Sequence, residues 1–323
     1  MNKSNTGRFA PSPSGYMHMG NLLSMLLAWL DARRLGGKLI FRMEDLDPVR
    51  SDPIYAAAIA DDLRWLGLDW DLGYPDPAFS QSRRTALYED AFALLSEQGL
   101  VYPCWCSRAE RLAAAAPHPG EAQHDPGCRC AHLTQSERRA LEQSGRRPAW
   151  KLRVPDLDVT VRDAHYGPIT RNLARDDGDF IIRRSDGVFA YQLAVSLDDA
   201  AMGVGRVVRG RDLLTCAPRQ AWLIGLLGGQ PPVYAHGPLL LTDRRKLSKR
   251  LGDLSTQALR RRFTPEELIG RLAFAAGLLD RPESVSAREL AADFDWSRVS
   301  REDIPLSPEL SPAIHNPQRA GPF

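Results

Sequence analysis

The most apolar stretch of the chain, residues 22–30, carries one hydroxyl at Ser24 and ends at Asp31. It is too short to cross a bilayer, which takes about 20 residues. With Asn21 ahead and Gly36-Gly37 behind, the pattern predicts a buried helix over 21–34. The preceding residues 11–20, PSPSGYMHMG, are punctuated by proline and glycine and predict a loop. Residues 38–43 (KLIFRM) predict a short buried strand, and helical periodicity returns at 53–66 and 83–98. From about 103 to 147 the chain turns rich in Cys, Ala, Pro, Gly and charge, the composition of a small inserted module.

Beyond it, short apolar runs predict strands at 150–154, 180–184, 189–194 and 206–208. A helix is expected at 218–227, and a strand at 234–241 running into the basic loop 242–250. Residues 253–292 read as helical, and the tail after Ile304 is proline-rich. Strands alternating with helices imply an α/β fold with a largely parallel sheet, its two halves separated by the insertion.

At 323 residues, 43% hydrophobic and 25% charged, the chain can bury a sizeable core. Its opening MNKSNTGRF lacks the apolar core of a secretory signal, so a cytoplasmic protein without a membrane partner is expected. A net charge of +2 permits an RNA partner without demanding one. Four of the five cysteines, Cys104, Cys106, Cys128 and Cys130, fall close together. In a cytosolic chain such a cluster points to metal before disulfide. Cys216 stands alone and reads as packing.

Three constellations carry chemistry. His18 and Gly20 sit where a loop feeds a helix, and a helix N-terminus holds anions through its free N–H groups and dipole. Glu44, Asp45 and Asp47 lie just past the strand at 38–43, where ligands of open parallel sheets bind. Lys246-Leu247-Ser248-Lys249-Arg250 is a basic run able to neutralise a triphosphate or a departing pyrophosphate. Taken singly, each also suits an ordinary turn or a solvated basic loop.

Their order is more specific than any one of them. The chain resembles the class I aminoacyl-tRNA synthetases, whose HIGH and KMSKS motifs correspond to His18-Met19-Gly20-Asn21 and Lys246-Leu247-Ser248-Lys249-Arg250. Asn21, Leu247 and Arg250 depart from those patterns. The glutamyl branch is singled out by Arg8-Phe9-Ala10-Pro11-Ser12-Pro13-Ser14-Gly15 and by Arg42-Met43-Glu44-Asp45-Leu46-Asp47. Tyr191-Gln192-Leu193-Ala194-Val195, Asp198-Asp199, Val208-Arg209-Gly210-Arg211-Asp212-Leu213 and Pro218-Arg219-Gln220 extend the likeness.

The resemblance implies a Rossmann-type catalytic domain that activates L-glutamate with ATP and Mg²⁺. Arg8, Ser12, Glu44, Tyr191 and Arg209 would form the glutamate pocket. Arginines suit its carboxylates and Glu44 its ammonium. His18, Gly20 and Lys249 would hold ATP. His18, Lys246 and Lys249 would stabilise the charge that builds as pyrophosphate leaves.

For the metal, relatives commonly show Cys-x-Cys followed by Tyr-x-x-x-Cys, a pattern occupied here by Cys104, Cys106, His124 and Cys128. One structural Zn²⁺ per chain is expected on those four, with Cys130 the rival of His124 for the last place and His118 a more distant candidate.

The expected division is 1–99 for the first catalytic half, 100–175 for the zinc-containing insertion and 176–252 for the second half. Residues 253–323 would form a helical segment leaning on the tRNA stem. The residues beyond Lys249 leave no room for an anticodon-binding domain on the order of 100 residues. Truncated relatives of this shape are the glutamyl-queuosine tRNA(Asp) synthetases. That likeness implies a monomer that glutamylates the queuosine base of the tRNA(Asp) anticodon loop. The alternatives are a glutamyl-tRNA synthetase charging the 3′ end and a synthetase-like binding protein without catalysis.

Overall fold

Strands β1 (Gly7–Phe9) and β2 (Leu39–Phe41) run parallel, pairing Gly7 with Leu39 and Phe9 with Phe41, and helix α1 (Met19–Arg34) crosses between them. The computed structural model describes residues 5–106, 128–242, 245–246 and 255–306. β3 (Leu72–Gly73), reached through helix α2 (Pro53–Trp65), adds a third parallel strand beside β2. Helix α1 is the centre of the main core. Leu22, Leu23, Leu26, Leu27 and Leu30 are all buried. At about 1.5–3 kcal/mol for each such side chain, this stripe contributes on the order of 10 kcal/mol against chain entropy.

After α3 (Thr85–Glu97), strands β4 (Val101–Cys104) and β5 (Ala149–Leu152) pair antiparallel, with the short helix α4 (Gln135–Gln143) between them in sequence. β6 (Asp158–Asp163) and β7 (Gly167–Asn172) form a hairpin, and β8 (Phe180–Arg183) pairs back onto β5. Helix α5 (Tyr191–Ala201), β9 (Arg206–Gly210), helix α6 (Ala217–Leu226) and β10 (Val233–Gly237) come next. β10 pairs parallel with both β9 and β6. The backbone N–H groups of Gly205 and Arg206 donate to Thr6 O, which brings β9 alongside β1. The pairings cross the expected boundary near 175: β6 joins the sheet of β9 and β10, whereas β8 joins that of β4 and β5.

Two expectations fail. The strand expected at 189–194 does not form: only Phe189 makes an isolated bridge, to Arg183, and Tyr191 opens α5. A short apolar run fits either period. Here the helix wins because it turns Asp198 and Asp199 inward to buried partners. The expected strand at 234–241 is two: β10, and β11 (Leu240–Thr242), which pairs with β12 (Arg245–Lys246) and β13 (Ile304–Pro305).

Within the expected helical stretch 253–292, the described helices are α7 (Thr256–Arg260), α8 (Pro265–Ala275) and α9 (Ala287–Ala292). This region is tied to the catalytic core. Buried Asp31 of α1 accepts from Arg206 of β9 and, at 2.7 Å, from Nε1 of Trp296. Thr256 donates its backbone N–H to Met17 O at 2.9 Å, bracing the loop that carries His18. No described helix is long and apolar enough to cross a membrane.

Candidate active site and cysteine cluster

A cavity of about 520 Å³ opens where β1, β2, β9 and β10 end. The residues after each strand supply its wall, as expected for ligand sites of open α/β sheets: Ser12 after β1, Glu44 after β2, Asp212 after β9 and Leu239 after β10. Arg8, His18, Gly20, Tyr191 and Arg209 line the same space. All residues that the sequence points to for glutamate therefore share one pocket. Lys246 is placed only as backbone in β12, and Lys249 lies outside the described residues.

His18 is the N-cap of α1, with an extended backbone. Its Nδ1 accepts the N–H of Gly20 at 3.2 Å, and Oδ1 of Asn21 accepts the N–H of His18 at 3.1 Å. Because Nδ1 accepts, the neutral ring carries its proton on Nε2. A Cβ on Gly20 would stand 3.2 Å from two ring atoms of His18, so glycine lets the imidazole lie flat on the helix start.

Arg8, Arg42 and Arg209 form the pocket's charged floor with Glu44 and Asp199. Nη1 of Arg42 lies 2.7 Å from Asp199 Oδ1, and Nη2 donates to Glu44 Oε1 at 3.1 Å. Burial alone would pull Arg42 down, but Asp199, Glu44 and Asp198 together push it up. Arg8 donates from Nη1 to Val208 O at 2.8 Å, while its buried Nε, 3.5 Å from Asp199, has no hydrogen-bond partner among the described residues. Burial holds Arg8 below the usual guanidinium range, partly opposed by Asp199. Burial also raises the Glu44 carboxyl, against Arg42 and Arg8. A ligand ammonium beside Glu44 would favour its ionised form.

Asp198 faces the other way, accepting from Gln81, Arg84 and Tyr88. The twin aspartates thus fix α5 against α3 on one side and the pocket floor on the other. The sequence marks Asp198-Asp199 only as a likeness and assigns them no task. Behind Arg209 stand Gln220, His236 and Asp163, of which His236 and Asp163 carry no signal along the chain.

The cysteine cluster assembles at the end of β4. The sulfurs of Cys104, Cys106, Cys128 and Cys130 all lie within 4.8 Å of one another, with contacts of 3.4, 3.6 and 3.7 Å. Disulfides need about 2.05 Å. A tetrahedron of thiolates about 2.3 Å from zinc has edges of about 3.8 Å, close to those contacts. Burial pushes the Cys104 thiol up to about 11; a divalent cation would oppose that by stabilising thiolate. The donor set fits a metal ion. Cys130 occupies the fourth corner, whereas His124 lies outside the described residues.

Of the basic residues at the end of α7, Arg260 is engaged by Asp61 and Asp62, over the ring of Trp65. Arg261 and Arg262 are exposed.

A cleft at the carboxyl ends of parallel strands, entered by a His-x-Gly helix start, is the arrangement of a class I aminoacyl-tRNA synthetase catalytic unit. Residues 5–303 match the family model described as tRNA synthetases class I (E and Q), catalytic domain. A glutamyl-Q tRNA(Asp) synthetase of Nitratidesulfovibrio vulgaris is 50% identical, over 95% of both chains. One from Symbiobacterium thermophilum is 46% identical, over 95% of this chain and 98% of its own length. The chain belongs to the glutamyl-Q tRNA(Asp) synthetase family, within the class I tRNA synthetases of the E and Q type. In fold it is similar to the crystal structure of glutamate-tRNA synthetase from Elizabethkingia anophelis, with a TM-score of 0.78 at 24% identity. That match covers 96% of this chain and 69% of the other.

Proposed function

We propose that this chain activates L-glutamate with ATP and transfers it to the queuosine base in the anticodon loop of tRNA(Asp). The observation that carries the activation step is the single pocket joining Arg8, Arg209 and Glu44 to the His18-capped start of α1. Arginines there match two carboxylates, and Glu44 matches one ammonium. A glutamate carboxylate oxygen attacks the α-phosphorus of ATP, and the bond to pyrophosphate breaks. The N–H groups at the helix start and the His18 Nε2 proton meet the charge that develops, and the role assigned to Lys246 and Lys249 is to neutralise the departing pyrophosphate. Mg²⁺ accompanies ATP and offsets its phosphate charge. A hydroxyl of the queuosine cyclopentenediol then attacks the acyl carbon, losing its proton as AMP departs.

The reading extends to organisation. Residues 1–99 and 176–252 carry the halves of a Rossmann-type catalytic domain and 100–175 an insertion held by one structural zinc, with β6 lent to the catalytic sheet and β8 to that of the insertion. Residues 253–323 lean on the RNA stem. We assign the zinc to Cys104, Cys106, Cys128 and Cys130, and expect a cytoplasmic monomer.

Labelled glutamate, ATP and tRNA(Asp) with or without queuosine test the transfer. Acceptance should require queuosine and survive removal of the 3′-terminal adenosine. Charging of unmodified tRNA, or loss of acceptance on trimming, would instead make the chain a 3′-end glutamyl-tRNA synthetase. Absence of glutamate-dependent ATP–pyrophosphate exchange would leave a binding protein.

A further inference from the structure

Arg209 differs from the other two arginines of the pocket floor. Arg8 and Arg42 both reach Asp199, but Arg209 makes no ion pair with a described residue. Its guanidinium is held by neutral acceptors instead. Nε donates to Nε2 of His236 at 2.9 Å, Nη1 to Oε1 of Gln220 at 2.7 Å and Nη2 to Leu213 O at 3.2 Å. An imidazole accepts at Nε2 only when its proton resides on Nδ1. Asp163 enforces that tautomer, its Oδ2 lying 2.6 Å from Nδ1 of His236. The carboxylate is itself fixed by the backbone N–H groups of His165 and Tyr166, each donating to Oδ1 at 2.9 Å. Both side chains of the pair are fully buried.

We infer that His236 is a positioning residue for amino-acid recognition, aiming Arg209 through a chain from Asp163 to His236 to Arg209. The inference rests on the reading of Arg209 as a glutamate-binding group. A carboxylate in place of His236 would hold the guanidinium equally well but would neutralise it and compete with the substrate. A neutral imidazole fixes the plane and leaves the positive charge for glutamate. Three of the five guanidinium N–H groups are taken by these contacts, and two remain for a carboxylate. His236 thus acts on substrate affinity and has no part in the chemistry at phosphorus.

Two amide substitutions separate the halves of the chain. In His236→Asn the amide can still donate to Asp163 but cannot reach Arg209. In His236→Gln the amide oxygen takes the place of Nε2. The readout is glutamate-dependent ATP–pyrophosphate exchange, resolved into KM for glutamate, KM for ATP and kcat. His236→Asn should raise the glutamate KM roughly 10- to 100-fold, the scale of a lost hydrogen bond to a charged group. Its ATP KM should stay unchanged, and His236→Gln should remain within a few-fold of the parent. Equal glutamate KM values in the Asn variant and the parent would overturn the inference, as would parallel changes in both substrates. Arg209→Ala is the control for the underlying reading. If it leaves the glutamate KM unchanged, the pocket assignment fails. If it raises that KM while His236→Asn does not, only the role of His236 fails.

Discussion

Asn21 accepts the backbone N–H of His18 at 3.1 Å, closing a reciprocal cap in which His18 Nδ1 accepts from Gly20. Asn21 stands where the HIGH pattern has its second histidine, and its amide oxygen does a helix cap's work. It fixes the backbone of His18 and, through it, the ring that faces the pocket. Asn21→Ala should cost about 1 kcal/mol of stability, the usual scale for a lost capping contact. It should also lower ATP–pyrophosphate exchange, because the His18 ring is no longer fixed. Thermal melts and exchange rates check the two effects together. Full exchange activity in a destabilised protein would separate the cap from the site.

How much is legible in the sequence depends on how local each signal is. The α1 stripe is readable because its apolar residues and the glycines after it are contiguous. The helix nonetheless starts at Met19, earlier than the expected residue 21, because His18 takes the capping role. The pocket residues Arg8, Glu44 and Arg209 are legible as motifs, each lying in or just after a strand. The hairpin β6–β7 is not, since its alternating exposed and half-buried positions give no continuous apolar run. The chain from Asp163 through His236 to Arg209 joins three distant segments, and only the pairing of β6, β9 and β10 brings them together. No periodicity announces such a contact.

The cysteine cluster makes a prediction that separates two ligand sets. Purified protein should hold one zinc per chain, and Cys130→Ser should lose it, since Cys130 Sγ lies 3.6 Å from Cys106 Sγ within the foursome. His124→Ala should keep it. Metal analysis of both variants decides the matter. Retention in Cys130→Ser with loss in His124→Ala would restore His124 as the fourth ligand.

Asp199 is the shared anion of Arg8 and Arg42, with both guanidinium groups and the carboxylate buried. Removing the charge leaves two buried cations with less compensation. Asp199→Asn should therefore destabilise the chain by about 3–5 kcal/mol, the range for breaking a buried pair. It should also raise the glutamate KM, since Arg42 orients Glu44. Urea denaturation gives the first quantity and exchange kinetics the second. An unchanged denaturation midpoint would mean that Arg42 is satisfied by Asp198 and Glu44 alone.

Asp62 ties the fold to pH. It lies buried in α2 and accepts from Arg260 at 3.2 Å through Oδ1, while its Oδ2 has no hydrogen-bond partner among the described residues. Burial pushes its carboxyl up to about 6, only partly opposed by Thr256 and Arg260. The ordinary carboxyl value is 3.8, so between the two the folded chain binds more proton at this site than the unfolded chain. By linkage, the contribution of Asp62 to stability is greatest below 3.8 and declines as pH rises through about 6. Asp62→Asn cannot ionise and lacks that slope. The stability of the variant relative to the parent should therefore be higher at pH 7.5 than at pH 4.5, measured by urea denaturation at both. A difference that runs the opposite way would mean that Asp62 is held ionised by Arg260 throughout.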